Sequence, residues 1–375
     1  MAGSTRLVDL VQFRLDGFLG EHGAALTQIS PDLEVIDGSA RRLLAGGKRF
    51  RALFCYWGWR SVAGLGSDDD GAGGDPAALE GPGLDAIVSV ASALEIFHAA
   101  ALVHDDIMDN SDRRRGQPSL HKRFEALHAE QGWSGSARQY GDATALLVGD
   151  LLLAWSDELF ESGTGMLHPD AASAARREFA LMRTEVTVGQ YLDMLEETSW
   201  RTRPEAELLP RAHRVIVYKS AKYSVEAPLA IGASLAEASL AQLAALRAFG
   251  LPLGVAFQLR DDLLGVFGDP AVTGKPAGDD LREGKRTVLV ALARQKLPTS
   301  AARLFDELLG DDSLDEQQIA MLQTAVRDSG AVEQVERIIA HNVGVATAAL
   351  ADAPIARSAR DELGSLADAV TRRDS

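Results

Sequence analysis

Apolar residues recur at three- and four-residue spacing along most of this chain, and alternating β-branched runs are scarce. The pattern predicts helices over 5–29, 38–62, 84–108, 142–162, 171–199, 208–232, 239–268, 287–295, 301–310, 315–329 and 331–351, with a last one over 357–371. Glycine and proline clusters separate many of them. Two polar stretches interrupt the pattern. Residues 64–83 contain Ser67-Asp68-Asp69-Asp70-Gly71-Ala72-Gly73-Gly74-Asp75-Pro76 and read as a flexible acidic loop, not a linker between domains. Residues 268–286 form a second polar loop, and no internal repeat is visible. The class implied is all-α: a single large helical bundle around a central cavity, with sites built from side chains that face inward.

Composition narrows the picture. The 375 residues, 46% of them hydrophobic, suffice for a sizeable core, and length alone leaves one or two domains open. A net charge of −16 argues against a general nucleic-acid or anionic-membrane surface. No apolar run is expected to span a bilayer, and Met1-Ala2-Gly3-Ser4-Thr5 lacks a signal pattern. The single cysteine, Cys55, excludes an internal disulfide framework and suits a reducing cytoplasm.

Within this acidic, helical background two clusters stand out: His104-Asp105-Asp106-Ile107-Met108-Asp109, and Gln258-Leu259-Arg260-Asp261-Asp262-Leu263-Leu264-Gly265. Both lie in apolar surroundings, where unpartnered carboxylates are costly. Helical spacing puts Asp105 and Asp109 one turn apart, about 6 Å along the axis. A solvated helix face is the plain alternative. Two such clusters in apolar context favour hard divalent cations, and Mg²⁺ leaves coordination sites for phosphate oxygens. Asp269, Asp279 and Asp280 follow in the polar loop.

Basic residues recur near these acids. Gly46-Gly47-Lys48-Arg49-Phe50-Arg51 is expected to open a helix with Lys48 and Arg51 on one face, a suitable anion site. Arg113-Arg114-Arg115-Gly116 follows the first cluster, either as simple charge pairing or as a clamp on a polyanion. Lys219-Ser220 with Lys222, and Lys275 with Lys285, form further groups, and His98 lies two turns before Asp105. Gln190, near the acid Asp193, is expected to support the site from behind, and His104 and His121 receive no catalytic role. No Gly-x-Ser-x-Gly, His-Glu-x-x-His or phosphate-loop motif is present.

These residues resemble the trans-isoprenyl diphosphate synthases, or polyprenyl synthetases. The matching motifs are Gly47-Lys48-x-x-Arg51, His98, Asp105-Asp106-x-x-Asp109, Arg114-Arg115-Gly116, Gly189-Gln190-Tyr191, Lys219-Ser220, Phe257-Gln258-x-x-Asp261-Asp262, Gly274-Lys275-Pro276 and Gly284-Lys285-Arg286. They appear in the family's order across residues 40–290. The resemblance implies the isoprenoid synthase fold, a homodimer, three Mg²⁺ ions, and head-to-tail condensation of isopentenyl diphosphate with an allylic diphosphate (dimethylallyl, geranyl or farnesyl). It assigns Lys48, Arg51, His98 and Arg115 to isopentenyl diphosphate. Asp105, Asp106, Asp109, Asp261 and Asp262 are assigned to Mg²⁺. Arg114, Lys219, Ser220, Gln258, Lys275 and Lys285 are assigned to the allylic diphosphate. Two departures are visible: Ser220 where threonine is usual, and Gly265 in place of the last aspartate of the second cluster.

The first cluster's helix is also expected to wall the tail pocket. Ala100 and Ala101 leave open the level that an aromatic ring blocks in C15 synthases of the family. Phe97, one turn deeper, is either the floor or ordinary core. The expected product is therefore geranylgeranyl diphosphate (C20), with longer chains as the main competitor. A terpene cyclase would not need Lys48 and Arg51, and a non-catalytic subunit of a heteromeric synthase would be expected to have lost aspartates.

Overall fold

A computed structural model describes residues 2–65, 82–269, 277–311 and 313–371. Helices dominate: α1 (Ala2–Ile29), α2 (Glu34–Leu44), α3 (Phe50–Ala63), α4 (Pro82–Met108), α5 (Leu120–Glu130), α6 (Ala137–Thr164) and α7 (Pro169–Ser199). Then come α8 (Glu205–Val215), a π-helix (Ile216–Glu226), α9 (Ala227–Leu235), α10 (Leu240–Phe267) and the short α11 (Asp279–Glu283). The chain closes with α12 (Val288–Lys296), α13 (Thr299–Leu308), α14 (Glu316–Asp328), α15 (Ala331–Ala351) and α16 (Arg357–Thr371). Two short 3₁₀ turns, Pro31–Leu33 and Trp200–Thr202, and the two-residue strands β1 (Arg113–Arg114) and β2 (Gln117–Pro118) complete it. The all-α expectation holds.

Helix α4 is apolar all round and correspondingly buried, from Ile87 through Leu94 and Ile96 to Val103. It belongs to a large core with α1, α3, α6, α7, α9 and α16. A second core gathers α12 to α15 around the C-terminal half of α10. Helix α10 and the π-helix feed both: Phe249, Leu253 and Tyr223 pack in the first, and Leu259, Leu263 and Ala221 in the second. Contrary to the sequence expectation, two helices are long and apolar enough to cross a membrane, Gly83–Met108 and Leu240–Phe267. Their most apolar windows are 83% and 44% buried inside the protein; the first is mostly buried, as in a core helix.

Three local expectations are corrected. The helix expected over 38–62 is two helices, because Gly46, Gly47 and Arg49 take positive φ of 64°, 98° and 50°. Lys48 therefore precedes the helix that carries Arg51, and the two do not share a helical face. The helix expected over 208–232 is interrupted by the π stretch, where the amide of Ala227 reaches back to the carbonyl of Lys222. Pro228 follows directly; it has no N–H for the carbonyl four residues back, and its ring would crowd a regular turn there. The polar loop over 268–286 contains α11. Helix α5 and the β1–β2 hairpin are additional. The acidic loop expected around 64–83 falls, over residues 66–81, outside the described residues.

Candidate active site

The first aspartate cluster sits at the C-terminal end of α4. The helix ends at Met108, but the Asp109 amide still donates to the Asp105 carbonyl at 2.8 Å, so both side chains keep one side. The hairpin that follows supplies the first cation. Arg113 pairs with Pro118 and Arg114 with Gln117, and the two-residue turn between them has positive φ at Arg115 (52°) and Gly116 (75°). That is the geometry of a type I′ turn. It returns Arg114 to α4, where Nε lies 2.8 Å from Asp106 Oδ1 and Nη2 lies 3.1 Å from Asp105 Oδ2.

Two lysines close the cluster from other elements. Lys219, on the π-helix, places Nζ 2.5 Å from Asp193 Oδ2 and 3.2 Å from Asp105 Oδ1. Lys285, just after α11, pairs with Asp109 and lies 3.7 Å from Asp193 and Glu197 and 3.8 Å from Glu283. The lysine on the π-helix owes its place to bare backbone on its neighbours. A Cβ on Gly189 of α7 would lie 2.4 Å from the Lys219 amide nitrogen, and one on Gly254 of α10 would lie 2.4 Å from the Ala221 carbonyl oxygen. The π-helix is thus gripped backbone to backbone on both sides.

Burial and charge oppose each other here. Burial would raise the Asp105 carboxyl, but Lys219, Lys285 and Arg114 outweigh it and hold the group well below the usual carboxylate range. Asp109 goes the other way, raised by burial and by the neighbouring Asp105 charge despite Lys285. Burial also disfavours the charged forms of Lys219 and Lys285, yet the surrounding carboxylates keep both protonated. Burial pushes Glu197 up to about 7 against the pull of Lys285.

The second cluster lies on α10. Asp261 is exposed, whereas Asp262 is buried and takes a hydrogen bond from Gln258 Nε2 to Oδ1 at 2.8 Å. Asp262 Oδ2 is buried without a hydrogen-bond partner. Burial raises this carboxyl far above its ordinary value, and the Asp280, Asp261 and Asp193 charges add to the shift. Asp193 is thus within electrostatic reach of both Asp105 and Asp262.

A separate basic group lies toward α3. Arg51 donates to Ser224 Oγ at 2.9 Å and stacks on the Tyr223 ring at 4.3 Å. His98 Nδ1 lies 3.1 Å from the Tyr223 hydroxyl, and burial plus the Arg51, Arg115 and Arg114 charges hold it neutral. Lys48 is exposed beside Phe50, and Arg115 is exposed with its guanidinium over Gly47. Beneath them Arg49 is buried against Glu95 at 3.2 Å and fixes the loop that carries Lys48.

The remaining expectations fall as follows. Ser220 sits next to Lys219 on the π-helix, whereas Lys222 turns away to Glu185 at 2.5 Å. Gln190 Nε2 is buried without a hydrogen-bond partner, on the helix that carries Asp193. Lys275 lies outside the described residues. His104 fills the notch at Gly149 and faces Asp150 at 3.5 Å, and His121 is buried near Ser119, away from both clusters. Ala100 is fully buried and Phe97 nearly so, its ring 6.1 Å from Phe179 and 5.8 Å from Tyr223. The roles of Asp193, Glu197 and Glu283 were missed. For Asp193 and Glu197 the signal was the one-turn spacing of 189, 193 and 197 on α7, which aligns the two acids with the contact glycine; Glu283, on α11, had none.

Among the described residues no three His, Cys, Asp or Glu side chains converge as a preformed metal cage. Lysine and arginine hold the carboxylates instead. The donor set nevertheless fits a hard divalent cation: it is all oxygen, and Asp262 Oδ2 is a buried carboxylate oxygen awaiting a partner. A polar recess of about 320 Å³ opens beside Lys285, between Glu197, Trp200, Arg201 and Arg286, rather than between the clusters.

Comparison with known proteins agrees with this geometry. Residues 34–326 match the family model for polyprenyl synthetase. A geranylfarnesyl diphosphate synthase of Aeropyrum pernix is 32% identical over 311 residues, 82% of this chain and 84% of its own. A geranylgeranyl diphosphate synthase of Mycobacterium tuberculosis is 31% identical over 312 residues, 82% of this chain and 76% of its own. Among solved structures, the geranylgeranyl pyrophosphate synthase from Corynebacterium glutamicum, complexed with isoprenyl diphosphate and magnesium, superposes with a TM-score of 0.88 at 36% identity. That likeness covers 98% of this chain and 99% of the other. With its carboxylates, lysines and arginines arranged as described, the chain belongs to the polyprenyl synthetase family and is a trans-prenyltransferase, an isoprenyl diphosphate synthase.

Proposed function

We propose that the enzyme adds isopentenyl diphosphate head-to-tail to an allylic diphosphate and that its main product is geranylgeranyl diphosphate. The observation that carries this reading is the meeting of Asp105, Asp106 and Asp109 with Arg114, Lys219 and Lys285, with Asp193 in electrostatic reach of Asp262 in the second cluster, beside a separate basic group of Lys48, Arg51, His98 and Arg115. One diphosphate needs metal and cations; the other needs cations alone.

Asp105, Asp106, Asp109, Asp261 and Asp262 would hold Mg²⁺, three ions by the family resemblance, which supplies charge neutralisation for the departing diphosphate. Arg114, Lys219 and Lys285 would face the allylic diphosphate from among these carboxylates, with Gln258, Ser220 and Lys275 completing that site. They are already desolvated and fixed, so they stabilise the charge that develops as the allylic C–O bond breaks. Neutral His98 donates to isopentenyl diphosphate alongside Arg51, Arg115 and Lys48. The isopentenyl double bond attacks the allylic cation, and released diphosphate takes the proton, so no side-chain nucleophile is required.

Labelled isopentenyl diphosphate supplied with each allylic primer tests the reading. Incorporation into a C20 chain is expected; a cyclised hydrocarbon from one substrate, or no turnover, overturns it. Ala100 and Ala101 leave the tail space open, and Phe97 with Phe179 and Phe160 forms the next ring layer. Phe97→Ala is therefore expected to shift the product to C25 or longer, at about 3–5 kcal/mol of stability. An unchanged product length removes Phe97 as the floor.

The homodimer reading rests on exposed apolar residues of α6 and α7, including Leu147 (66%), Tyr191 (61%) and Val188 (50%). In a dimer these would be covered. Leu147→Glu combined with Val188→Glu is expected to halve the mass seen by sedimentation; an unchanged dimer places the interface elsewhere. We also read the described helices as one domain, since α10 runs through both cores, and the buried thiol of Cys55 as suited to the cytoplasm.

A further inference from the structure

We infer that Asp280 supplies the third carboxylate of the second cluster, through the space left open by Gly265. This rests on the magnesium reading above and extends it to a residue outside both aspartate motifs. The first cluster has carboxylates at its first, second and fifth positions; the second has Asp261 and Asp262, but Gly265 at the fifth. A Cβ at Gly265 would lie 2.1 Å from Asp280 Oδ2, 2.4 Å from Cγ and 2.7 Å from Oδ1. No side chain fits there while Asp280 stands where it does. The carboxylate of α11 rests on the bare backbone of α10, in the volume that an aspartate at 265 would occupy.

This placement is built rather than incidental. Leu281, next in the chain, is fully buried and anchors α11 in the second core. The helix is bracketed by Gly278 and Gly284, both at φ 76°. The Lys285 amide donates to the Asp280 carbonyl at 3.0 Å, so the element that presents Asp280 also presents Lys285 to Asp109.

A second observation points to a cation. Asp262, three residues before Gly265, is 4% exposed, and its Oδ2 has no hydrogen-bond partner. The Asp280 and Asp261 charges both bear on it. A buried carboxylate oxygen without a partner is costly unless a cation meets it. A hard divalent ion with oxygen ligands fits that need. Gly265 is then a notch that receives a carboxylate from another element, and the cluster keeps three acids.

The test uses Mn²⁺ as probe, titrated into the full-length protein with inorganic diphosphate and followed by electron paramagnetic resonance, with melting temperature as a fold check. Asp280→Ala is expected to weaken the weakest Mn²⁺ site by roughly ten-fold or more. Gly265→Asp alone is expected to weaken it too, because two carboxylates contend for one volume. Gly265→Asp with Asp280→Ala is expected to recover most of the loss. Wild-type Mn²⁺ binding in Asp280→Ala, with binding lost in Asp105→Asn, overturns the role of Asp280 and leaves the magnesium reading intact. Absence of Mn²⁺ binding by the wild type in the presence of diphosphate overturns both. Should Gly265→Asp fail to fold, Asp280→Ala and Asp280→Asn decide the matter by themselves.

Discussion

Asp105→Asn is expected to lower kcat by about a thousand-fold while the protein stays folded. The first half follows from position. Asp105 contacts both Arg114 and Lys219, and those cations with Lys285 hold it ionised well below the usual carboxylate range. Exchange for an amide removes a metal ligand and misplaces two groups aimed at the leaving diphosphate. Loss of one preorganised electrostatic group costs about 10²–10³ in turnover, and a metal ligand adds to that. The second half follows from redundancy. Lys219 keeps Asp193 at 2.5 Å and Arg114 keeps Asp106 at 2.8 Å, so neither is left as an unpaired buried charge. Steady-state kinetics with a thermal melt separate the two roles. A large fall in melting temperature with turnover within ten-fold of wild type would make Asp105 a packing residue and sink the catalytic assignment.

That redundancy could not be read from the sequence, and the reason is physical. The aspartates and the lysines and arginines near them were visible as types at helical spacing, and α4, α7 and α10 were placed within a few residues because long apolar runs admit few alternatives. Which acid meets which base depends on elements distant in the chain. Asp193 joins Lys219 only because α7 and the π-helix touch, and Lys285 reaches Asp109 only because α11 exists inside a stretch that reads as polar loop. The π-helix itself has no periodic signature: its width is set by Pro228 and by neighbours that present glycine. The break at 45–49 was signalled by Gly46-Gly47, but Arg49 in a left-handed conformation was not, since Arg49 is held there by burial against Glu95. The β1–β2 hairpin is too short to alternate, although Arg115-Gly116 marks its turn.

Gly189→Ala is the second change expected to act strongly, and it does so without touching a charged group. The new methyl would stand 2.4 Å from the Lys219 amide nitrogen and 2.5 Å from the Tyr218 carbonyl carbon, both backbone atoms that cannot rotate aside. Either α7 or the π-helix must move by about an ångström. Overpacking of this kind costs about 1–3 kcal/mol. Its larger effect is on chemistry, because Lys219 is carried by the displaced backbone and its ammonium must span Asp193 and Asp105. A misplacement of about 1 Å can cost on the order of 10² in turnover. Gly254→Ala, which meets the Ala221 carbonyl oxygen at 2.4 Å from the other side, is expected to behave alike. Gly250→Ala is the control: it presses on the far end of the π-helix at Glu226 Cα, 2.9 Å away, two turns of chain beyond Lys219 and Ser220. It should lower the melting temperature and spare kcat. If all three variants lose stability and kcat in the same proportion, the grip on the π-helix serves folding alone; if Gly189→Ala and Gly254→Ala lose turnover well beyond Gly250→Ala, backbone contact between α7, α10 and the π-helix is what aims Lys219.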